Sequence, residues 1–294
     1  MTDITNSDKP SNLAGVGNFP APGQAVFHGF NPVGVWTLYM KEVRRFFKVQ
    51  LQTIWAPAIT TLLYLVIFTL AISGGGSGGS AHTVLGVSYA TFLAPGLIAM
   101  GMLNNSFANA SFGLLVGKMQ GTIVDYLMPP ISEAELLLAL VAAAVTRAVL
   151  VGLAIFLAML LWPGVDVSIH HPWAVVWFGL MGATLFALIG VLTSLWADKF
   201  DHNAAVTNFV IAPMAMLSGT FYVITRLAPA FRTISEFNPV FYVISGFRFG
   251  FLGQSDIGAT NDAVIMAALG LGALNAILGI LVYALLRSGW KLRG

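Results

Sequence analysis

Residues 53–80, TIWAPAITTLLYLVIFTLAISGGGSGGS, carry the pattern that decides the fold class. The first part of this segment is apolar for the roughly 20 residues that a helix needs to cross a bilayer. The last part, residues 73–80, is a Gly/Ser run through which no helix persists. The segment lies within a longer stretch, residues 49–117, that contains no Asp, Glu, Lys or Arg. This pattern predicts two membrane spans joined by a short loop.

The apolar pattern recurs along the chain and predicts an all-α integral membrane protein with six spans. The predicted spans are residues 53–72, 94–116, 136–161, 174–195, 206–224 and 264–286. Pro57 and Pro213 do not argue against them, because neighbouring helices re-satisfy the backbone in membrane helices. Arg147 is a charge inside span 3, and we expect it to reach an interface, a helix end or the asparagines of span 2.

Composition excludes several other classes of protein. Charged residues make up 9% of the chain and hydrophobic residues 57%, whereas soluble domains carry roughly 25% charged residues. The chain has no cysteine, which excludes disulfides, thiolate metal sites and cysteine nucleophiles. We find no catalytic, cofactor-binding or metal-binding constellation and expect no nucleic-acid partner. Residues 1–33 form a polar tail, and the domain of interest is residues 34–294.

The distribution of Lys and Arg predicts that both termini are cytoplasmic. With six spans, three cations lie on the outer side, namely Arg226, Arg232 and Arg248. Apart from Lys9 in the tail, nine lie on the side of the termini: Lys41, Arg44, Arg45, Lys48, Lys118, Lys199, Arg287, Lys291 and Arg293.

Residues 35–52 predict an amphipathic helix before span 1. Aromatic residues that include Trp36 and Phe47 share one face, and the other face carries Lys41, Arg44, Arg45 and Lys48. This pattern is typical of a helix in the headgroup plane, with aromatic side chains in lipid and cations near lipid phosphates. The alternative is a basic anchor that only obeys the charge rule.

Two further segments are not spans. Residues 117–135 form a charged cytoplasmic loop whose exposed Tyr126, Leu127 and Met128 favour a docking element over a plain connection. On the outer side, Asn238 and Pro239 are a helix-start signal. The apolar segment that follows is too short to span, so we expect an outer re-entrant helix in which Arg248 reaches headgroups or pairs with Glu236.

Polar residues interrupt span 2 at Asn104, Asn105 and Asn109. Such residues form hydrogen bonds between helices or line a substrate path, and the sequence leaves both open. Met214, Met216 and Phe221 on span 5 suit an amphiphilic substrate on such a path.

Four motifs give the chain a family resemblance. They are WTLYMKEVRRFF at 36–47, FLAPGL at 92–97, GTIVDYLMPPI at 121–131 and NPVFYVISGFRFGFLG at 238–253. The chain resembles the permease subunits of bacterial ABC-2-type exporters, in particular the YadH-type inner-membrane transport permeases, and is similar to nodulation-factor exporter permeases. The resemblance covers about residues 34–294.

The resemblance implies an inner-membrane permease that pairs as a dimer and docks on separate ATPase subunits, which bind ATP and Mg²⁺. It makes residues 35–52 a connecting helix, spans 2 and 5 the walls of the path, and residues 238–253 part of an outer helical hairpin. The implied ATPase-coupling residues are Lys118, Gln120, Asp125, Tyr126, Leu127 and Met128. Family members often have Glu where Asp125 stands and a basic residue near Gln120, so the charge pairing with the ATPase differs in detail.

Two alternatives belong to other functional classes. An ion-coupled secondary transporter usually carries intramembrane carboxylates, and no predicted span contains Asp or Glu. A membrane-embedded lipid-modifying enzyme needs carboxylates or histidines clustered at one interface, and the five histidines are scattered. The substrate of a permease is not readable from the sequence.

Overall fold

The computed structural model describes residues 29–73, 83–162, 165–224, 227–254, 256–257 and 261–291. Residues 74–80 of the Gly/Ser run and nearly all of the N-terminal tail lie outside these residues, whereas Ser73 is the last residue of the first membrane-spanning helix. The helices are α1 Pro32–Phe47, α2 Ala56–Ser73, α3 Tyr89–Met119, α4 Val124–Leu127, α5 Glu133–Leu160, α6 Pro172–Trp196, α7 Phe200–Val206, α8 Ala212–Met216, α9 Pro229–Glu236, α10 Pro239–Leu252 and α11 Asn261–Ser288. Two π-helical turns, Leu51–Trp55 and Thr207–Ile211, lead into α2 and α8. A short antiparallel pair, β1 Thr83–Val84 and β2 Val87–Ser88, precedes α3.

Within the described residues, four helical segments are long and apolar enough to cross a membrane. They are Leu51–Ala71, Glu133–Leu160, Pro172–Trp196 and Asn261–Ser288, and they correspond to predicted spans 1, 3, 4 and 6. Helix α3 contains predicted span 2 and has 31 residues, a length of about 46 Å at 1.5 Å per residue. It carries three asparagines and does not belong to those four segments. The all-α membrane class is therefore confirmed, and the count of six spans stays a prediction.

Predicted span 5 differs from the structure at both ends. The helical stretch begins at Phe200, continues through the π-helical turn and ends at Met216, whereas the prediction ran from 206 to 224. Gly219 has a φ of 75°, which is a left-handed conformation that ends helices. The hydroxyls of Ser218 and Thr220 are 2.9 Å apart on either side of it, so polar side chains support the turn.

Helix α3 lies at the centre of the fold and packs against α5, α6 and α10. Helix α6 approaches it closely at Gly190, where an added Cβ would lie 2.8 Å from the backbone oxygen of Phe107. Only a residue without a side chain permits this distance. The largest buried side chains belong mainly to this central layer, among them Phe92, Phe178, Phe186 and Phe249.

Helix α10 begins where the sequence predicts. The Asn238 side chain accepts a hydrogen bond from the Val240 amide at 3.0 Å, and Pro239 occupies the first helical position. The helix ends at Gly253, whose φ is 69°. Its 14 residues are too few to cross a bilayer. The predicted helix start is confirmed, and the re-entrant placement stays a prediction.

Candidate functional site

The apolar face of helix α1 packs against α5. Val43 and Phe46 are buried in a cluster with Ala143 of α5, and the Tyr39 and Thr146 hydroxyls are 3.0 Å apart. Trp36 remains 62% exposed and Phe47 44% exposed. The prediction that the aromatic face lies in lipid is therefore wrong for Phe46, because α5 supplies an apolar surface that the sequence pattern does not reveal.

The polar side of α1 holds four cations and one acid. Arg45 forms an ion pair with Glu42 at 2.9 Å and donates to the backbone oxygen of Asn109 at 2.9 Å. The Lys41 ammonium lies 3.6 Å from the centre of the Tyr126 ring. Arg44 and Lys48 are exposed. Glu42, the only acid on this helix, is almost fully buried, and the sequence pattern does not single it out.

The loop between α3 and α5, residues 120–132, is called the coupling loop here after the role predicted for residues 117–135. It contacts α1 through Tyr126 and through Pro130, whose backbone oxygen accepts a hydrogen bond from the side chain of Asn31, the N-cap of α1, at 3.2 Å. The Tyr126 hydroxyl donates to Glu42 Oε1 at 3.0 Å, and the ring is 7% exposed. The prediction that Tyr126 is exposed for docking is wrong, because its hydroxyl finds a buried acceptor on α1. Burial, followed by the negative charge of Glu42, raises the pKa of Tyr126, so the hydroxyl remains a donor.

Other side chains of the coupling loop do face outward. Val124 is 49% exposed and Met128 is 77% exposed, and Asp125 is exposed between them. The Leu127 side chain lies outside the described residues. The prediction of a docking element therefore rests on Val124, Asp125 and Met128 rather than on Tyr126.

Lys118 and Gln120, at the end of α3, have different surroundings. The Lys118 ammonium donates to the backbone oxygens of Leu195 at 2.9 Å and Ala197 at 2.8 Å, where α6 ends. A cation is stabilised at a helix C-terminus by the exposed carbonyls. These carbonyls hold the Lys118 ammonium within the chain, and its predicted contact with the ATPase stays a prediction. Gln120 is exposed and remains available.

Asp198 links Lys118 to Lys291, which follows α11. Its carboxylate lies 3.3 Å from the Lys118 ammonium and accepts a hydrogen bond from Lys291 at 2.9 Å. The hydrogen bond from Lys291 lowers the pKa of Asp198. The ends of α3, α6 and α11 are therefore tied together at one end of the molecule.

A groove of about 690 Å³ runs between α3 and the helical stretch from Phe200 to Met216. Of the predicted path residues, Asn104 and Met216 line this groove. The sequence pattern does not predict the polar residues on the other wall of the groove, because Thr207 and Asn208 lie in a π-helical turn that breaks the helical periodicity. The lining also includes Met100, Phe107, Ser111, Phe112, Phe200 and Asn203.

The remaining predicted path residues do not line the groove. Asn105 accepts a hydrogen bond from Arg147 at 2.9 Å, which confirms that this arginine contacts an asparagine of α3. Asn109 serves as the acceptor for Arg45. The predicted path residues therefore divide: Asn105 and Asn109 bind arginines of neighbouring helices, which is the first of the two alternatives, and Asn104 lines the groove.

Met214 and Phe221 also lie apart from the groove. The Met214 backbone oxygen accepts a hydrogen bond from the Asn238 side chain at 2.6 Å. The Phe221 ring packs against Phe68 with the centroids 4.8 Å apart. Both residues form contacts within the helix bundle, at the end where α10 begins.

Arg248 is fully buried beneath the start of α3. It forms an ion pair with Asp256 at 3.1 Å and donates to the backbone oxygen of Gly219 at 2.9 Å. The guanidinium also lies 3.9 Å from the centre of the Phe92 ring. The predictions that Arg248 reaches headgroups or pairs with Glu236 are wrong, because Glu236 pairs with Arg232 one turn away at 2.9 Å.

Comparison with known proteins identifies the family. Residues 33–252 match the family model described as ABC-2 type transporter. The chain is 35% identical over 226 residues to the inner membrane transport permease YadH of Escherichia coli strain K12, an alignment that covers 76% of this chain and 85% of that protein. It is 29% identical over 244 residues to nodulation protein J of Rhizobium leguminosarum bv. viciae, covering 82% and 87%. These relatives and the apolar helices make it a multi-pass inner-membrane protein. The chain belongs to the ABC-2 type transporter family, whose members are transmembrane subunits of ATP-binding cassette transporters.

Proposed function

We propose that two copies of this chain form the substrate path of an exporter, which a separate ATPase subunit drives. The observation that carries the pairing is the groove between α3 and the stretch from Phe200 to Met216. Asn208 is exposed in this groove and Asn104 is half-buried. Phe209, next to Asn208, is 81% exposed, so polar and large apolar side chains lie side by side on this face. Amide side chains facing lipid are unfavourable, and polar groups at membrane depth usually face protein or a water-filled cavity. A second copy would cover this face and enclose the path.

The energy source in this proposal is a partner protein. The sequence contains no nucleotide-binding motif, so ATP and Mg²⁺ bind in the ATPase. The coupling loop presents Val124, Asp125 and Met128 outward, and Tyr126 fixes the loop on α1. A short apolar and acidic surface on a fixed base suits docking into a groove of the ATPase.

Cross-linking tests the pairing in this cysteine-free chain. A chain with Asn208→Cys should cross-link to its own copy in the membrane, because the proposal places residue 208 at the interface. Leu281→Cys is the matched control, since Leu281 of α11 is 45% exposed and lies away from the groove. Cross-links in the control alone, or in neither chain, would contradict the dimeric path.

Measurement with the ATPase tests the coupling surface. Replacing Val124 and Met128 together with Ser should weaken ATPase binding at least roughly 30-fold, because truncating desolvated interface anchors commonly costs about 2 kcal/mol or more. Leu161→Ser is the control, an exposed apolar residue at the C-terminal end of α5. Transport by the unmodified chain that depends on an ion gradient and not on ATP would favour a secondary transporter instead.

A further inference from the structure

A basic cavity of about 720 Å³ lies between α1 and the coupling loop. Its walls are formed by Trp36, Thr37, Met40, Lys41, Glu42, Arg44, Arg45, Lys48 and Tyr126. Four of these side chains are cationic and one is acidic, and the acid, Glu42, is already paired with Arg45. We propose that this cavity binds the phosphate headgroup of an anionic phospholipid and thereby connects α1 to the coupling loop.

The charges of the cavity favour an anionic ligand. Arg44 and Lys48 make no ion pair with any of the described residues, and both are exposed. They stand four positions apart, so they lie one turn apart on the same helix face and repel each other. A bound phosphate removes this repulsion and accepts hydrogen bonds from both side chains.

The position of the cavity favours a lipid over a soluble anion. Helix α1 leads through the π-helical turn Leu51–Trp55 into the membrane-spanning segment Leu51–Ala71, which places α1 beside the headgroup region. Trp36 forms part of the cavity wall and is 62% exposed, and Phe47 nearby is 44% exposed. Aromatic side chains beside cations suit a ligand with both a phosphate and an acyl chain.

The cavity also touches the segment proposed to couple to the ATPase. Tyr126 forms one wall of the cavity. The Lys41 ammonium lies 3.6 Å from the centre of its ring, and its hydroxyl donates a hydrogen bond to Glu42. A headgroup that draws on Lys41 therefore acts on a loop residue that is in direct contact with α1. The link between lipid binding and ATPase coupling rests on the proposed function, whereas lipid binding itself is measured without an ATPase.

Binding of a fluorescent short-chain phosphatidylglycerol to the detergent-purified chain tests the site. We expect saturable binding that weakens at least about ten-fold in R44Q/K48Q, since each basic residue near an anionic surface contributes a several-fold gain. The variant K199Q/R287Q loses the same charge from exposed positions elsewhere and should bind within two-fold of the unmodified chain. Equal losses in the two variants would show general charge attraction and overturn the proposal.

Two competitors define the ligand. Short-chain phosphatidylcholine, which has no net charge, should compete at least about ten-fold less well than phosphatidylglycerol. Inorganic phosphate should compete only at far higher concentration, because it lacks the acyl chain. Competition by phosphate at the same concentration as the lipid would make this a soluble-anion site and overturn the lipid assignment.

A label on the coupling loop tests the connection. Met128→Cys carrying an environment-sensitive fluorophore is suitable, because Met128 is 77% exposed and the chain has no other cysteine. Its emission should change with the same lipid concentration dependence as binding, and R44Q/K48Q should shift that dependence equally. Saturable lipid binding without any change in emission would overturn the connection to the loop. Loss of ATPase binding by R44Q/K48Q in lipid-free detergent would identify a protein-docking surface and overturn the lipid site.

Discussion

Arg248 is the largest charged side chain buried in the molecule, and its surroundings explain how the fold tolerates it. Asp256 supplies the opposite charge, the backbone oxygens of Gly219 and Thr220 accept two hydrogen bonds, and the Phe92 ring covers the guanidinium. A buried ion pair is rarely a net source of stability, but removing one partner leaves an uncompensated charge. The pair therefore acts mainly by fixing the turn at Gly219 against α10.

Asp256→Asn should lower the free energy of unfolding by about 3 kcal/mol, because Arg248 stays charged and loses its counter-ion. Titration of the purified chain with a denaturing detergent measures this change. Glu236→Gln is the control: Glu236 pairs with Arg232 on an exposed helix, and such pairs contribute about 0–1 kcal/mol. Similar small effects in both variants would show that Asp256 does not compensate Arg248.

Tyr126→Phe should cost about 1.5–3 kcal/mol of unfolding free energy, the range for a hydrogen bond to a charged group. The variant keeps the buried ring and the contact with Lys41 and removes only the hydroxyl that binds Glu42. The same detergent titration gives the value. Tyr64→Phe, at an exposed position on α2, should change stability by less than about 0.5 kcal/mol, and an equal loss there would contradict the assignment.

Residue types could be placed from the sequence, but their partners could not. The sequence predicts that Lys118 lies on the cytoplasmic side, and it offers contact with an asparagine of span 2 as one of three surroundings for Arg147. It does not predict that Lys118 binds the carbonyls at the end of α6, since that contact joins residues 77 and 79 positions apart. For the same reason, the sequence does not single out Glu42 or Asp256. Their partners, Tyr126 and Arg248, are identified only in the folded structure.

At the scale of the helix, Gly190 sets how closely α6 approaches α3. A methyl group at this position would meet the Phe107 backbone oxygen and the Ala110 side chain, each at 2.8 Å. Neither neighbour is the end of a flexible chain, so the two helices must separate. Overpacking of this kind typically costs about 1–3 kcal/mol.

Gly190→Ala should therefore destabilise the chain by about 2–3 kcal/mol in the same titration. Gly279→Ala is the matched control on α11, because nothing lies within 4 Å of the added methyl group. This second variant should be neutral or more stable by up to about 1 kcal/mol, since Ala has the higher helix propensity. Loss of stability in both variants would place the effect in the helices themselves rather than at the α3–α6 contact.

The elements themselves were largely predictable, with errors that have physical causes. Hydropathy located spans 1, 3, 4 and 6 to within a few residues, because a run of apolar side chains is a local property. Span 5 was placed too far along the chain, because Met214 and Phe221 are apolar on both sides of the turn at Gly219. The π-helical turns at Leu51–Trp55 and Thr207–Ile211 were not foreseen, since no local pattern announces the extra residue in each turn.

For the whole molecule, contacts between helix ends define two opposite poles. Asp198 gathers the ends of α3, α6 and α11 at one pole through Lys118 and Lys291. At the other pole the Asp166 amide donates to Thr91 near the start of α3 at 3.1 Å, and the His171 amide donates to the Gly250 oxygen at 2.8 Å. Helix α1, which carries Lys41, Arg44 and Arg45, and the coupling loop also lie at the first pole.

This polarity and the positive-inside rule together predict that the Asp198 pole faces the cytoplasm. A reporter fused after Gly294 should be active in the cytoplasm, and one inserted within residues 73–80 should be active only on the outer side. A third reporter in the coupling loop at Gly121 should agree with the first, because Lys118 ties the end of α3 to the turn that contacts Lys291. Agreement between the Gly294 and 73–80 reporters would contradict six spans, since it would require an even number of crossings after span 1, whereas six spans leave five.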